Sequence, residues 1–331
     1  MGKLQLDLAC GDYDRVRALR DGEVVPEGID LNFMAMRRPE EIFWRMLMHH
    51  EFHASEMSLG SYVAGRARGD LPFIAIPVFP SRMFRHAAIY VHAGAGIEQP
   101  EDLEGKLVGV PEYQMTAATW VRGILQDDYS IHVRDVTWVC GGLEHGGRRE
   151  KIPLALPPEI RLERIAEDAT LAAMLEQGQI DALISAQAPS PFLRRSPAVR
   201  RLFKDYRSVE ADYYRRTHNF PIMHTVVIRQ DVYEAHPWVA PNLLEAFLVS
   251  KQQCLADMSY TPALRYMLPW LHDELERLQD LMGEDYWPDG LEPNRRTLET
   301  FVRYSYEQGI IRRQISVDEL FAAPTLDTFR T

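Results

Sequence analysis

The stretch Glu98-Gln-Pro-Glu-Asp-Leu-Glu-Gly-Lys-Leu-Val-Gly-Val-Pro111 decides how the rest of the chain is read. It begins as a helical turn, Gly105 stops that turn, and a short apolar run before Pro111 reads as a buried strand. Thr116–Leu125 follows as a helix, weakened by Gly123. Upstream, Leu4–Ala9, Ile29–Met34, His53–Met57 and Phe73–Phe79 read as strands, and Pro39–His50 repeats Ile42, Phe43, Met46 and Leu47 at helical spacing. Downstream, Asp168 is expected to cap a helix that runs through Glu176 and ends at Gly178, and Ile180–Ile184 and Thr225–Ile228 read as strands. Asn294 is expected to cap Arg295–Gln308, and Ser316-Val-Asp-Glu319 has the spacing of a capping box. Strand and helix patterns alternate almost throughout, which predicts α/β layering.

Composition narrows the function. The 331 residues hold 37 Lys+Arg against 48 Asp+Glu, a net charge of −11, which argues against a nucleic-acid partner. No apolar run approaches the ~20 residues that span a bilayer, so no membrane partner is expected. Hydrophobic residues make up 46%, enough for a sizeable core, and the length predicts two domains or lobes. Cys10, Cys140 and Cys254 form no C-x-x-C pair and are odd in number, which predicts neither a disulfide framework nor a zinc ribbon. Lys3-Leu-Gln-Leu-Asp-Leu8 alternates as a strand does and offers no secretory core, so a cytoplasmic setting is expected.

With Gly178-Gln-Ile-Asp-Ala182 and Val226-Val-Ile-Arg-Gln-Asp231, the opening stretch resembles the recurrent phrases of the type II periplasmic-binding-protein fold. That resemblance implies two α/β lobes joined by two crossover segments. Residues 1–91 would start the first lobe, 92–219 would form the second, and 220–331 would complete the first and add C-terminal helices. Tyr90-Val91-His92 fits the outgoing crossover and Phe220–Thr225 the return, with a ligand in the cleft between lobes.

Three runs carry candidate chemistry. Val78-Phe-Pro-Ser-Arg-Met-Phe-Arg-His86 places Arg82, Arg85 and His86 just past a strand, and paired guanidinium forks suit a dicarboxylate. Trp138-Val-Cys-Gly-Gly-Leu-Glu-His-Gly-Gly-Arg-Arg-Glu150 sets Glu144, His145, Arg148 and Arg149 on a glycine-rich loop, although no phosphate-binding loop motif is present. Cys10-Gly-Asp-Tyr-Asp-Arg15 projects Asp12, Tyr13, Asp14 and Arg15 from a strand's carboxyl end, and Phe220-Pro-Ile-Met-His224 brings His224 to the same cleft. His49 and His53 lie four apart but lack the H-E-x-x-H order, so a metal site there is not expected.

These segments, with Ser55-Glu-Met-Ser-Leu59 and Ala182–Pro189, resemble 4,5-dihydroxyphthalate decarboxylases over nearly the whole chain. The resemblance implies a carboxy-lyase of phthalate breakdown that releases carbon dioxide and 3,4-dihydroxybenzoate from a small aromatic dicarboxylate. Chemistry then suggests roles: Arg82, Arg85, Arg148 or Arg149 as the anion clamp with Tyr13 and Arg15 beside it, and His86, His145 or His224 as the acid. Asp12, Asp14 or Glu144 would orient a histidine or accept a phenolic proton. No redox cofactor is needed, while a divalent metal and a homo-oligomer stay open. The alternatives are an aromatic-acid-binding protein without catalysis and a lyase acting on another hydroxylated aromatic acid.

Overall fold

In chain order the strands are Leu4–Gly11 (β1), Ile29–Met36 (β2), Ala54–Ser58 (β3), Phe73–Arg82 (β4), Ile89–His92 (β5), Leu107–Val110 (β6), Thr137–Cys140 (β7), Arg161–Arg164 (β8), Ala182–Ile184 (β9), Val199–Arg201 (β10) and Ile222–Arg229 (β11). The structure, a computed structural model, describes residues 2–326. One sheet runs β2-β1-β3-β11-β4 and the other β10-β5-β9-β6-β7-β8, so the chain leaves the first sheet after β4 and returns to it at β11. In the first sheet β1 is parallel to β2 and β3, whereas β11 is antiparallel to β3 and β4. The two α/β lobes of the type II binding-protein fold are present.

Burial explains the strand patterns. Leu6 and Leu8 of β1 are sealed in the core, and all five residues of β3 are buried, including the charged Glu56. Such a strand is covered on both faces, so an acid within it needs partners.

Several boundaries differ from the sequence reading. Residues 89–91, assigned to the first lobe, lie in β5, which pairs with β9 and β10 of the second sheet. The outgoing crossover is therefore the segment 83–88, since ladder pairing carries the chain into the second sheet from Ile89. Thr170, rather than Asp168, caps the helix Leu171–Glu176, its Oγ1 accepting from Ala173 N. Asn294 stands ahead of the helix Arg295–Glu307, but its side chain reaches Arg82 and the carbonyls of Pro288 and Gly290 instead of capping. The Ser316–Glu319 capping box forms as expected.

The lobes share apolar core. Ala117 and Trp120, on the helix Thr116–Tyr129 of the second lobe, pack with Ile222, Phe301 and Tyr304. Trp120 Nε1 donates to Ile222 O at 2.9 Å, and its ring lies 5.5 Å from Phe301 and 5.7 Å from Tyr304. Gly123 faces the Tyr304 ring so closely that a Cβ would sit 2.1 Å from Cδ2. Close packing thus overrides the helix-weakening effect of glycine at this position.

Candidate active site

Gly11 at the end of β1, Ser58 at the end of β3 and Ile222 at the start of β11 share one edge of the first sheet. Glu56 lies just inside this edge. Its Oε2 accepts from Gly11 N (2.8 Å), and its Oε1 accepts from Tyr13 Oη (2.8 Å) and pairs with His224 Nδ1 (2.5 Å). Burial pushes the Glu56 carboxyl up, but attraction to His224 and these hydrogen bonds outweigh it and hold the group below its ordinary value. The same carboxylate, after burial itself, pushes the Tyr13 phenol up, so Tyr13 stays a proton-bearing donor. With Nδ1 engaged, His224 keeps Nε2 without a protein partner among the described residues. Its side chain is 18% exposed, and Phe43 packs edge-on against the ring at 4.8 Å. A carboxylate that fixes one imidazole nitrogen while the other meets solvent is an arrangement for moving a proton. Cys10 Sγ lies 3.7 Å from Glu56 Oε2, and burial followed by that charge raises its thiol, which disfavours a thiolate nucleophile.

The remaining residues of this run face different partners. Arg15 donates from Nε to Pro80 O (2.6 Å), and its guanidinium stacks over Tyr13 (4.1 Å) and Trp287 (4.6 Å). Asp14 pairs with Arg15, whereas Asp12 turns away to Arg20. An aromatic series continues from Trp287 to Phe220 (5.4 Å), Phe84 (4.7 Å) and Tyr214 (6.3 Å), touching both crossovers.

The Arg82, Arg85 and His86 run does not act as one cluster. Arg82, expected in the anion clamp, is buried and donates to Phe220 O, Pro288 O and Asn294 Oδ1, so it holds framework together. Arg85 is buried too, with Nε 3.1 Å from Met223 Sδ as its one hydrogen bond among the described residues. His86 is 2% exposed, enclosed by Phe203 (5.5 Å) and Tyr213 (5.3 Å), and neither ring nitrogen has a hydrogen-bond partner among the described residues. Burial pulls it down to about 4, which favours the neutral form, and Glu210 Oε1 lies 3.9 Å from Nδ1.

On the second lobe the glycine loop is stitched to its own surroundings. Arg148 and Lys151 both pair with buried Glu112, Arg149 pairs with exposed Glu167, and Glu144 accepts from Ser190 N and Oγ at 2.7 Å each. His145 is exposed. Arg148 and Arg149 line a cavity of about 320 Å³ with Arg164. Glu144 is thus held by its own lobe, and no hydrogen bond links Glu144 or His145 to His224 among the described residues. Among the described residues no group of three or more His, Cys, Asp or Glu is placed to hold a metal ion. His53 Nδ1 instead accepts from Asp7 N at 3.0 Å.

No family model matches the chain. It is 42% identical over 330 residues to the 4,5-dihydroxyphthalate decarboxylase of Comamonas testosteroni, covering 100% of both chains. The Pseudomonas putida protein of the same name is 48% identical over 215 residues, 65% of this chain and 83% of that one. The chain belongs to the 4,5-dihydroxyphthalate decarboxylase family. Among solved structures, this family member resembles the periplasmic aliphatic sulphonate binding protein SsuA from Escherichia coli, with TM-score 0.53, 11% identity and coverage of 98% and 99%. It likewise resembles the alkanesulfonate-binding protein SsuA from Xanthomonas axonopodis pv. citri, with TM-score 0.51, 12% identity and coverage of 98% of both. At such identity the likeness shows the fold alone.

The decarboxylase-family chain also holds a residue that sequence reasoning passed over. Glu56 was legible only as one acid in Ser55-Glu-Met-Ser58, yet it is the group that joins Gly11, Tyr13 and His224. The available signal was a single charge inside a strand that reads as buried.

Proposed function

We propose that the chain decarboxylates 4,5-dihydroxyphthalate without oxidation, giving 3,4-dihydroxybenzoate and carbon dioxide in phthalate breakdown, with His224 as the proton donor. Family membership supports the substrate, and the Glu56–His224 pair at the edge of the first sheet is the observation that carries the chemistry. One hydroxyl of this substrate is para to each carboxylate. That phenol gives its proton to solvent, its electrons move through the ring, and the carboxylate-bearing carbon takes a proton from His224 Nε2; solvent returns a proton to the phenolic oxygen and to His224 once carbon dioxide has left. The carbon–carboxylate bond then breaks, its electron pair returns to the ring, and carbon dioxide departs. Glu56 is a positioning residue that fixes the imidazole through Nδ1, and Tyr13 keeps Glu56 in place.

Reaction in D2O tests this reading. Carbon dioxide release with one deuterium at the vacated ring carbon is the expected result, whereas stoichiometric binding with no product favours an aromatic-acid-binding protein. Among the described residues no helix is long and apolar enough to cross a membrane. A cytoplasmic setting belongs to the same proposal, and cell fractionation tests it.

A further inference from the structure

Among the described residues three arginines are buried in the interior, and two of them are supplied with oxygen acceptors. Arg82 meets Phe220 O, Pro288 O and Asn294 Oδ1; Arg122 meets Tyr113 O, Gln308 Oε1 and Thr119 Oγ1. Arg85 is 7% exposed, yet its one hydrogen bond among the described residues goes to the Met223 thioether, a weak acceptor. It forms no ion pair among the described residues. Glu210, an acid whose charge acts on it, accepts from Ala87 N at 3.2 Å, and burial raises its carboxyl toward the neutral form. Burial accordingly lowers Arg85 to about 10. One nitrogen of Arg82 and one of Arg122 are sealed from solvent without a partner, but none of the Arg85 nitrogens is sealed in this way. A guanidinium that is desolvated, unpaired and still reachable is disfavoured unless an anion completes it.

Its position says where that anion lies. Arg85 touches Met223, the residue directly before His224 on β11, and it follows β4, which pairs with β11, while Glu56 reaches His224 from β3 on the other side of β11. We infer that Arg85 is the receptor for a ring carboxylate held beside His224, and that this is the carboxylate that stays on the ring. The inference rests on the decarboxylase reading for the second clause only. A carboxylate about to leave as neutral carbon dioxide loses its charge, so an ion pair to it favours the ground state and opposes the reaction. A carboxylate that remains keeps its charge throughout, and a fork on it positions the ring without that penalty.

Calorimetric binding of 3,4-dihydroxybenzoate and of catechol, which lacks the carboxylate, tests the receptor without requiring turnover. The intact protein is expected to bind 3,4-dihydroxybenzoate at least tenfold more tightly than catechol. Arg85→Met is expected to abolish that preference and Arg85→Lys to restore part of it. Because the substitution removes an uncompensated buried charge, Arg85→Met should melt no lower than the parent protein. No preference in the parent, an unchanged preference in Arg85→Met, or a Met variant that fails to fold overturns the inference. Steady-state kinetics then separates the two carboxylates: a raised KM with kcat within a few-fold supports the retained one, and a lost kcat with unchanged KM overturns that assignment. If the parent protein releases no carbon dioxide while the binding preference still depends on Arg85, the decarboxylase reading falls and the receptor stands.

Discussion

His224 and His86 have the same side chain, and both follow from runs near the crossovers, yet their surroundings make them different groups. At the edge of the first sheet, His224 has a carboxylate on Nδ1 and solvent access for the rest of the ring. Behind the outgoing crossover, His86 has aromatic neighbours and no hydrogen bond among the described residues on either nitrogen. A partly exposed imidazole with a carboxylate bonded to one nitrogen is able to carry a proton; a buried one with no hydrogen bond is favoured neutral.

The comparison breaks first at His224. His224→Asn keeps the size and a hydrogen bond to Glu56 but removes the titrating nitrogen, and carbon dioxide release is expected to fall about a thousandfold. A variant retaining more than a tenth of the activity would place the proton donor elsewhere. His86 shows its character in stability. Its folded value near 4 lies below the ordinary 6.5, so the neutral fold is fully favoured above pH 6.5 and loses roughly 3 kcal/mol as pH falls toward 4. Urea unfolding across that range should show a flatter pH dependence for His86→Phe than for the parent protein, with turnover retained.

Glu56 sharpens the contrast further. Glu56→Gln keeps an acceptor for Gly11 and Tyr13 but loses the charge, and a decrease in activity of about 10- to 100-fold is expected, with Glu56→Asp recovering part of it. Because its folded value is lowered, the stability Glu56 contributes is present above the ordinary carboxylate range and is lost as pH falls through the folded value. The variant should therefore show a changed pH–rate profile as well as a changed acid limb of unfolding. The smallest effect belongs to the second-lobe loop. Arg149 and Glu167 form a solvent-exposed pair, so Arg149→Met is expected to change kcat/KM by less than about twofold.

Much of the fold was legible because its information is local. The Gly105 stop before β6, the period-two pattern of Leu4, Leu6 and Leu8, and the order of the phrases all survive in the structure. The site was legible in its parts and not in its assembly. Arg82 and Arg85 differ by three positions in sequence, and nothing there tells which one meets Asn294 Oδ1 and which one is left with a thioether. His145 looks as suitable as His224 in sequence, but only His224 has a carboxylate bonded to its ring in the structure. Glu56 was hidden because its partners come from residues 11, 13 and 224, and such a meeting is a property of sheet order rather than of any neighbouring residues.

The packing of Trp120, Phe301 and Tyr304 across the lobes carries a thermodynamic consequence. Large aromatic rings that bridge two sheets tie the melting of one to the melting of the other, so heat or urea should take the chain apart in one cooperative transition. That core is built mostly from the first lobe, with Ala117, Trp120 and Ile152 supplied by the second, so a cut within the crossovers would uncover an apolar face. The expected single transition is a property of that shared contact, added to the separate cores each lobe keeps.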